Sequence, residues 1–204
     1  YQKENFSSLR NGNNGGSVIS ATTANWVPLG PFGKPTNGGA GRVQVILKHP
    51  TQPNTIYVGA AAGGLWVSNN SGASYSTTTD QISSLGVADI AIDPINPNNI
   101  YIATGDKDAG DTDATGVLKS TNAGATWNLT GLTWQTSQQR RIYRLLINPI
   151  NPNTLIVATS VGVYRSLNAG ATWSLVLNGS YVDAEYRPGD TTTVYVAAAS
   201  AFYK

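Results

Sequence analysis

An all-β chain is predicted, a β-propeller built of four-stranded antiparallel blades, and three observations predict it. A nine-residue phrase occurs three times, as SNNSGASYS at 68–76, STNAGATWN at 120–128 and SLNAGATWS at 166–174. Its central glycines, Gly72, Gly124 and Gly170, lie 52 and 46 residues apart, a period that suits one blade and is too short for an independent domain. The composition agrees, because only 12% of residues are charged and Gly, Asn, Ser and Thr abound. Such residues favour short strands and tight turns over amphipathic helices.

Each element follows in order. Residues 1–23 are polar and contain NGNNGG at 11–16, so they read as a flexible arm or linker that buries too little apolar surface to offset its ordering entropy. ANWVPLG at 24–30 matches the end of a repeat unit, so the propeller segment at 24–204 is expected to begin with an outermost strand. Three full units follow, from 42, 86 and 141, and a fourth begins at 181. Within a unit a first strand ends at a Pro-containing turn, HPTQPN, DPINPN, NPINPN or RPGDTT, where Pro presets φ and removes a ladder donor. The second strands, TIYVGA, NIYIATG, TLIVATS and TVYVAA, are apolar throughout, as strands packed on both faces are. The repeated phrase forms the hairpin between the third and fourth strands. The expected yield is about three complete blades and parts of two more, continuing into further blades of the same polypeptide, since an open stack leaves strand edges and blade faces uncovered.

Several function classes are excluded. Thirteen basic and eleven acidic residues give a net charge of +2, and the basic ones cluster only at Arg140, Arg141 and Arg144. A nucleic-acid partner would need a basic stripe. With no cysteine there is no disulfide, zinc–thiolate site or thiol nucleophile. No apolar run approaches the ~18 residues of a membrane span. The one histidine, His49, lies in a turn where the parallel units carry Asp93, Asn148 and Arg187, so it reads as a turn residue rather than the base of a Ser-His-Asp site.

The repeated phrase resembles the Asp-box of bacterial neuraminidase repeats, S-x-D-x-G-x-T-W, found in sialidases, sortilin-type receptors and xyloglucanase-like glycoside hydrolases. This chain departs from it with Asn70, Asn122 and Asn168 at the Asp position and Tyr75 for one Trp. The resemblance implies that the box fastens each blade, on the face opposite the usual ligand site, with Tyr75, Trp127 and Trp173 packed between blades. It also places a catalytic Asp of the xyloglucanase-like enzymes at the position of Ala61, before Gly63 and Gly64. The Arg-Ile-Pro signature of sialidases is missing, Arg42 being the nearest arginine to it. LGPFGKP at 29–35, with the stretches at 49–66 and 100–127, is similar to the amino-terminal propeller of large Bacteroidota proteins exported by the type IX system. That similarity implies an extracellular location or the outer-membrane surface of a Gram-negative bacterium.

Function is expected where unit two departs from its own repeat, in a loop on a rigid scaffold. The insertion KDAGDTDAT at 107–115 follows Asp106 and brings Asp106, Asp108, Asp111 and Asp113 within eight positions. A Gly-containing loop with carboxylates so close can supply several of the about six to eight oxygens that Ca2+ takes, and a solvated acidic loop fits the same residues. No Glu closes the loop as in an EF-hand. The same face carries GLTWQTSQQR at 131–140, where Trp134, Arg140 and Arg141 form a candidate contact for a carbohydrate or another surface protein, or Trp134 plugs the propeller mouth. Glycoside hydrolysis needs two carboxyl groups about 5–9.5 Å apart, and Ala61 takes one away. The expected function is a non-catalytic interaction or scaffold module of a secreted or surface protein; the alternative is a glycoside hydrolase-like enzyme or lyase whose acids lie partly in other blades.

Overall fold

The computed structural model describes residues 42–204. The expected arm at 1–23 and the expected outer strand at 24–30 lie outside the described residues. Four antiparallel sheets follow one another, each a meander in chain order. The first contains β1 (Val43–Lys48), β2 (Ile56–Ala60), β3 (Gly64–Ser68) and β4 (Ser76–Thr77). The second contains β5 (Val87–Ile92), β6 (Ile100–Thr104), β7 (Gly116–Ser120) and β8 (Asn128–Thr133). The third contains β9 (Ile142–Ile147), β10 (Leu155–Thr159), β11 (Gly162–Ser166) and β12 (Ser174–Asn178). The fourth has β13 (Asp183–Arg187), β14 (Asp190–Ala197) and β15 (Phe202–Tyr203). The expected blade architecture is therefore present. The last unit reaches further than the half-blade anticipated, because Phe202 and Tyr203 pair with Ala197 and Val196 as a short third strand.

The first strands of successive sheets lie side by side, so the sheets stack around an axis that these strands line. Burial follows from that stacking. Every residue of β5, β6 and β10 is buried, because each is covered on both faces by a neighbouring sheet. Three apolar clusters fill the three inter-blade spaces. Tyr57, Leu65, Val87 and Ile102 belong to the first, Tyr101, Val117, Leu145 and Val157 to the second, and Leu146, Ile156, Ala184 and Val196 to the third. By contrast β1 leaves Val43 and Ile46 exposed, and the fourth sheet leaves Phe202 and Tyr203 exposed.

In the first three units the turn after the first strand is capped by the side chain at one repeated position. Asp93 Oδ1 accepts the Ile95 and Asn96 amides at 2.8 and 2.9 Å, and Asn148 Oδ1 accepts those of Ile150 and Asn151 at 3.0 and 2.9 Å. In the first unit His49 Nδ1 does the same for Thr51 and Gln52 at 3.2 and 3.0 Å, so the proton of the neutral ring sits on Nε2. His49 is buried and stacked on Tyr57, and burial lowers its pKa. The turn role expected for it is what the hydrogen bonds describe.

The repeated phrase forms the predicted hairpin and pins it. Ser120 Oγ accepts the Gly124 amide at 2.8 Å and donates to Asn122 Oδ1, which in turn accepts the Thr126 amide at 2.9 Å. Ser68–Asn70–Gly72 and Ser166–Asn168–Gly170 repeat these bonds. The glycine of each box has positive φ, and the residue before it, Ser71, Ala123 or Ala169, is also left-handed, at 59°, 56° and 54°. These two successive left-handed residues form the tip of a tight turn, closed by the amides of Ala73, Ala125 and Ala171 on the carbonyls of Asn70, Asn122 and Asn168. The amide of the residue before the glycine is used, since Ser71, Ala123 and Ala169 donate to the carbonyls of Asn54, Asn98 and Asn153 in the Pro-containing turns. Each box is thereby tied to the Pro-containing turn at the same end of its own blade.

Candidate functional site

The insertion of unit two leaves β6 at Gly105 and returns to β7 at Gly116, at the end of the blade away from the boxes. Asp106 organises it. Its carboxylate accepts the amides of Asp108, Ala109 and Asp111 at 3.0, 3.2 and 3.0 Å, and also binds the Arg42 guanidinium and the Gln44 amide group. The side chain is completely buried. Burial alone would favour the protonated acid, but the three amides and the Arg42 charge outweigh it and hold the pKa at about 2. Arg42 also lies 3.6 Å from Asp111. The loop is further tied by Asp106 N–H to Thr112 O, Ala114 N–H to Arg140 O and Thr112 Oγ1 to Ala61 O.

The four aspartates, read as either a cation site or a solvated acidic loop, are not gathered into one group among the described residues. Asp106 spends its oxygens on donors of the chain itself, and among the described residues no three His, Asp or Glu side chains are grouped as a metal site would require. Asp108 instead faces a cleft of about 640 Å3 across blades two, three and four. The cleft is lined by Lys107 and Asp108 from the insertion, by Arg141, Tyr143 and Arg144 from the entry to the third blade, and by Val182 and Asp183 from the fourth.

Arg144 is held between blades. Its guanidinium lies 3.5 Å from Asp89, 3.7 Å from Asp183 and 2.8 Å from Glu185, and it donates to Ala184 O at 3.3 Å. Asp89 is buried, accepts the Leu145 amide from the third blade at 2.8 Å and that of Ile90 from its own. Desolvation raises its pKa despite these donors and Arg144. Asp89, Arg144, Lys107 and Tyr143 were not singled out by sequence reasoning. A signal existed, because Asp89, Arg144 and Asp183 occupy one equivalent position in consecutive units, counted from the turn residues Asp93, Asn148 and Arg187.

Trp134 and Arg140 are brought together, and Arg141 faces the cleft. Trp134 packs against the second apolar cluster, edge-on to Tyr164 at 6.0 Å, with the Arg140 guanidinium over its ring at 5.3 Å. Only Arg141 of the three lines the cleft. Ala61 is buried and donates its amide to Arg42 O at 3.0 Å.

No family model matches the chain. It is 31% identical over 121 residues to the xyloglucanase Xgh74A of Acetivibrio thermocellus, covering 56% of this chain and 14% of that protein. It is 30% identical over 103 residues to a xyloglucanase of a Paenibacillus species, covering 48% of this chain and 10% of the relative. The chain thus spans about a seventh or less of the curated relatives it matches. Among solved structures it superposes on an ancestral GH74 enzyme with a TM-score of 0.65 and 25% identity, covering 76% of this chain and 22% of that one. The chain is an all-β partial propeller whose four-stranded sheets match part of the propeller of a GH74 enzyme.

Proposed function

We propose that this segment is a non-catalytic interaction module of a secreted or cell-surface protein, which offers the cleft beside the insertion to a carbohydrate or to another surface protein. The observation that carries the reading is Ala61: the position to which the resemblance assigns an acid holds a buried methyl group. The two buried carboxylates nearby are poor substitutes. Asp106 is saturated by donors and Asp89 is spent on Arg144 and the Leu145 amide, so neither can move a proton to a leaving group. Loops on a rigid scaffold are the usual place for recognition, and the insertion is the chain's largest departure from its repeat. A location outside the cell rests on the resemblance to exported Bacteroidota propellers.

The identity of 30–31% to two xyloglucanases favours a second reading, in which the segment belongs to an enzyme acting on xyloglucan through acids in other blades. Incubating the full-length protein with a polysaccharide panel that includes xyloglucan separates the two. No new reducing ends are expected. Turnover of any member of the panel would establish the enzyme instead.

A further inference from the structure

We propose that the cleft binds an acidic saccharide, a sugar chain bearing carboxylates, with the carboxylate against Lys107 and Arg141 and sugar hydroxyls donating to Asp108. The proposal rests on the interaction-module reading above and names the ligand class for it. The cleft's volume, about 640 Å3, falls within the ~300–1,000 Å3 of ordinary ligand sites.

Its charges are unevenly engaged. Arg144 is occupied by Asp89, Asp183 and Glu185. Lys107 and Arg141 make no salt bridge among the described residues, although both line the same cleft. Two cations that line one cleft, neither held in a salt bridge, favour an anion there.

The cations are also positioned in advance. Lys107 follows directly on the buried Asp106, whose carboxylate fixes the backbone of the next residues. Arg141 lies against the loop at Gly110: a Cβ there would stand 2.6 Å from its guanidinium nitrogen, so the glycine leaves the room the arginine occupies. Its own amide is held by Ser160 Oγ at 3.1 Å. Such preorganisation lowers the ordering cost of binding.

The remaining lining selects among anions. Asp108 is an acceptor at the same cleft, which repels a multiply charged phosphate but accepts hydroxyl donors. Tyr143 adds a half-buried ring against which a sugar face can lie. A ligand combining a carboxylate with neighbouring hydroxyls matches all four residues.

The test uses the full-length protein and isothermal titration with oligogalacturonate, its methyl ester and poly-L-glutamate. Oligogalacturonate is expected to bind at low salt and more weakly at physiological salt, and the uncharged ester and the peptide to bind at least about tenfold more weakly. Arg141→Gln and Lys107→Gln are each expected to weaken oligogalacturonate about tenfold. Lys107 is half-buried and makes no salt bridge among the described residues, so its variant reports on binding even if Arg141→Gln disturbs the loop. No binding of oligogalacturonate, equal binding of ester or peptide, or an unchanged Lys107→Gln affinity would each overturn the proposal. Release of new reducing ends, measured separately, would overturn the non-catalytic reading while leaving carboxylate recognition standing.

Discussion

Asp106 decides whether the insertion is a loop or a structure. A buried carboxylate with three amides, a guanidinium and a side-chain amide around it is stabilised as the anion, and its pKa of about 2 is a statement about folding. The unfolded chain titrates this group near 3.8, so its contribution is complete above that value and is lost as pH falls from about 4 to 2. Nearly two pKa units correspond to about 2 kcal/mol. Asp89 has the opposite sign, since burial raises its pKa and its contribution declines as pH rises through the folded value. Comparison with a variant isolates Asp106. Asp106→Asn is expected to lose about 2 kcal/mol at neutral pH and little at pH 2, in denaturant unfolding across that range. A pH-independent difference would mean that the carboxylate's charge does not hold the loop. The four closely spaced aspartates were visible in the sequence, but their separation was not: which one turns inward depends on Arg42 and Gln44, more than sixty residues away.

The box hairpin shows how an element tolerates a substitution at its defining position. Asn122 Oδ1 accepts the Ser120 hydroxyl and the Thr126 amide, while Nδ2 donates to Thr126 Oγ1 at 2.9 Å. Only the last bond needs an amide rather than a carboxylate, and the Thr126 hydroxyl can reverse its direction to donate instead. Asn122→Asp is therefore expected to change stability by less than about 0.5 kcal/mol, whereas Asn122→Ala, which leaves the Thr126 amide without its acceptor, costs about 1–2 kcal/mol. Urea midpoints at constant m-value measure both. Equal losses would mean that the side-chain shape, and not its acceptor oxygen, holds the turn. The hairpins, the Pro-containing turns and the blade order were legible because each follows from residues close in sequence and recurs with the repeat. Trp127 and Trp173 pack where the box resemblance implies, each on an inter-blade cluster. Lys107 and Tyr143, in contrast, gain meaning only from the stacking of blades, which brings a loop of one beside the first strand of the next.

Between blades, apolar burial supplies adhesion and the charges at the axis supply register. Asp89 reaches from the second blade to the Leu145 amide and to Arg144 in the third, and Arg144 continues to Asp183 and Glu185 in the fourth. Asp183 repeats half of the Asp89 arrangement. Each accepts the amide of the residue after it at 2.9–3.0 Å, but only Asp89 also accepts a first-strand amide from the next blade. The two equivalent aspartates should therefore respond unequally in this segment. Asp89→Ala strands the buried Leu145 amide and removes the deepest partner of Arg144, at a cost of about 2–3 kcal/mol. Asp183→Ala removes a largely exposed contact, 3.7 Å from Arg144, and should cost less than about 1 kcal/mol. In a larger propeller a following blade would stand beside Asp183 as the third stands beside Asp89. There, Asp183→Ala should cost as much as Asp89→Ala, while the Asp89 value stays the same. Thermal unfolding of both variants, in this segment and in the full-length protein, gives the four values needed. A loss at Asp183 that is the same in both proteins would show that register is set by apolar packing alone.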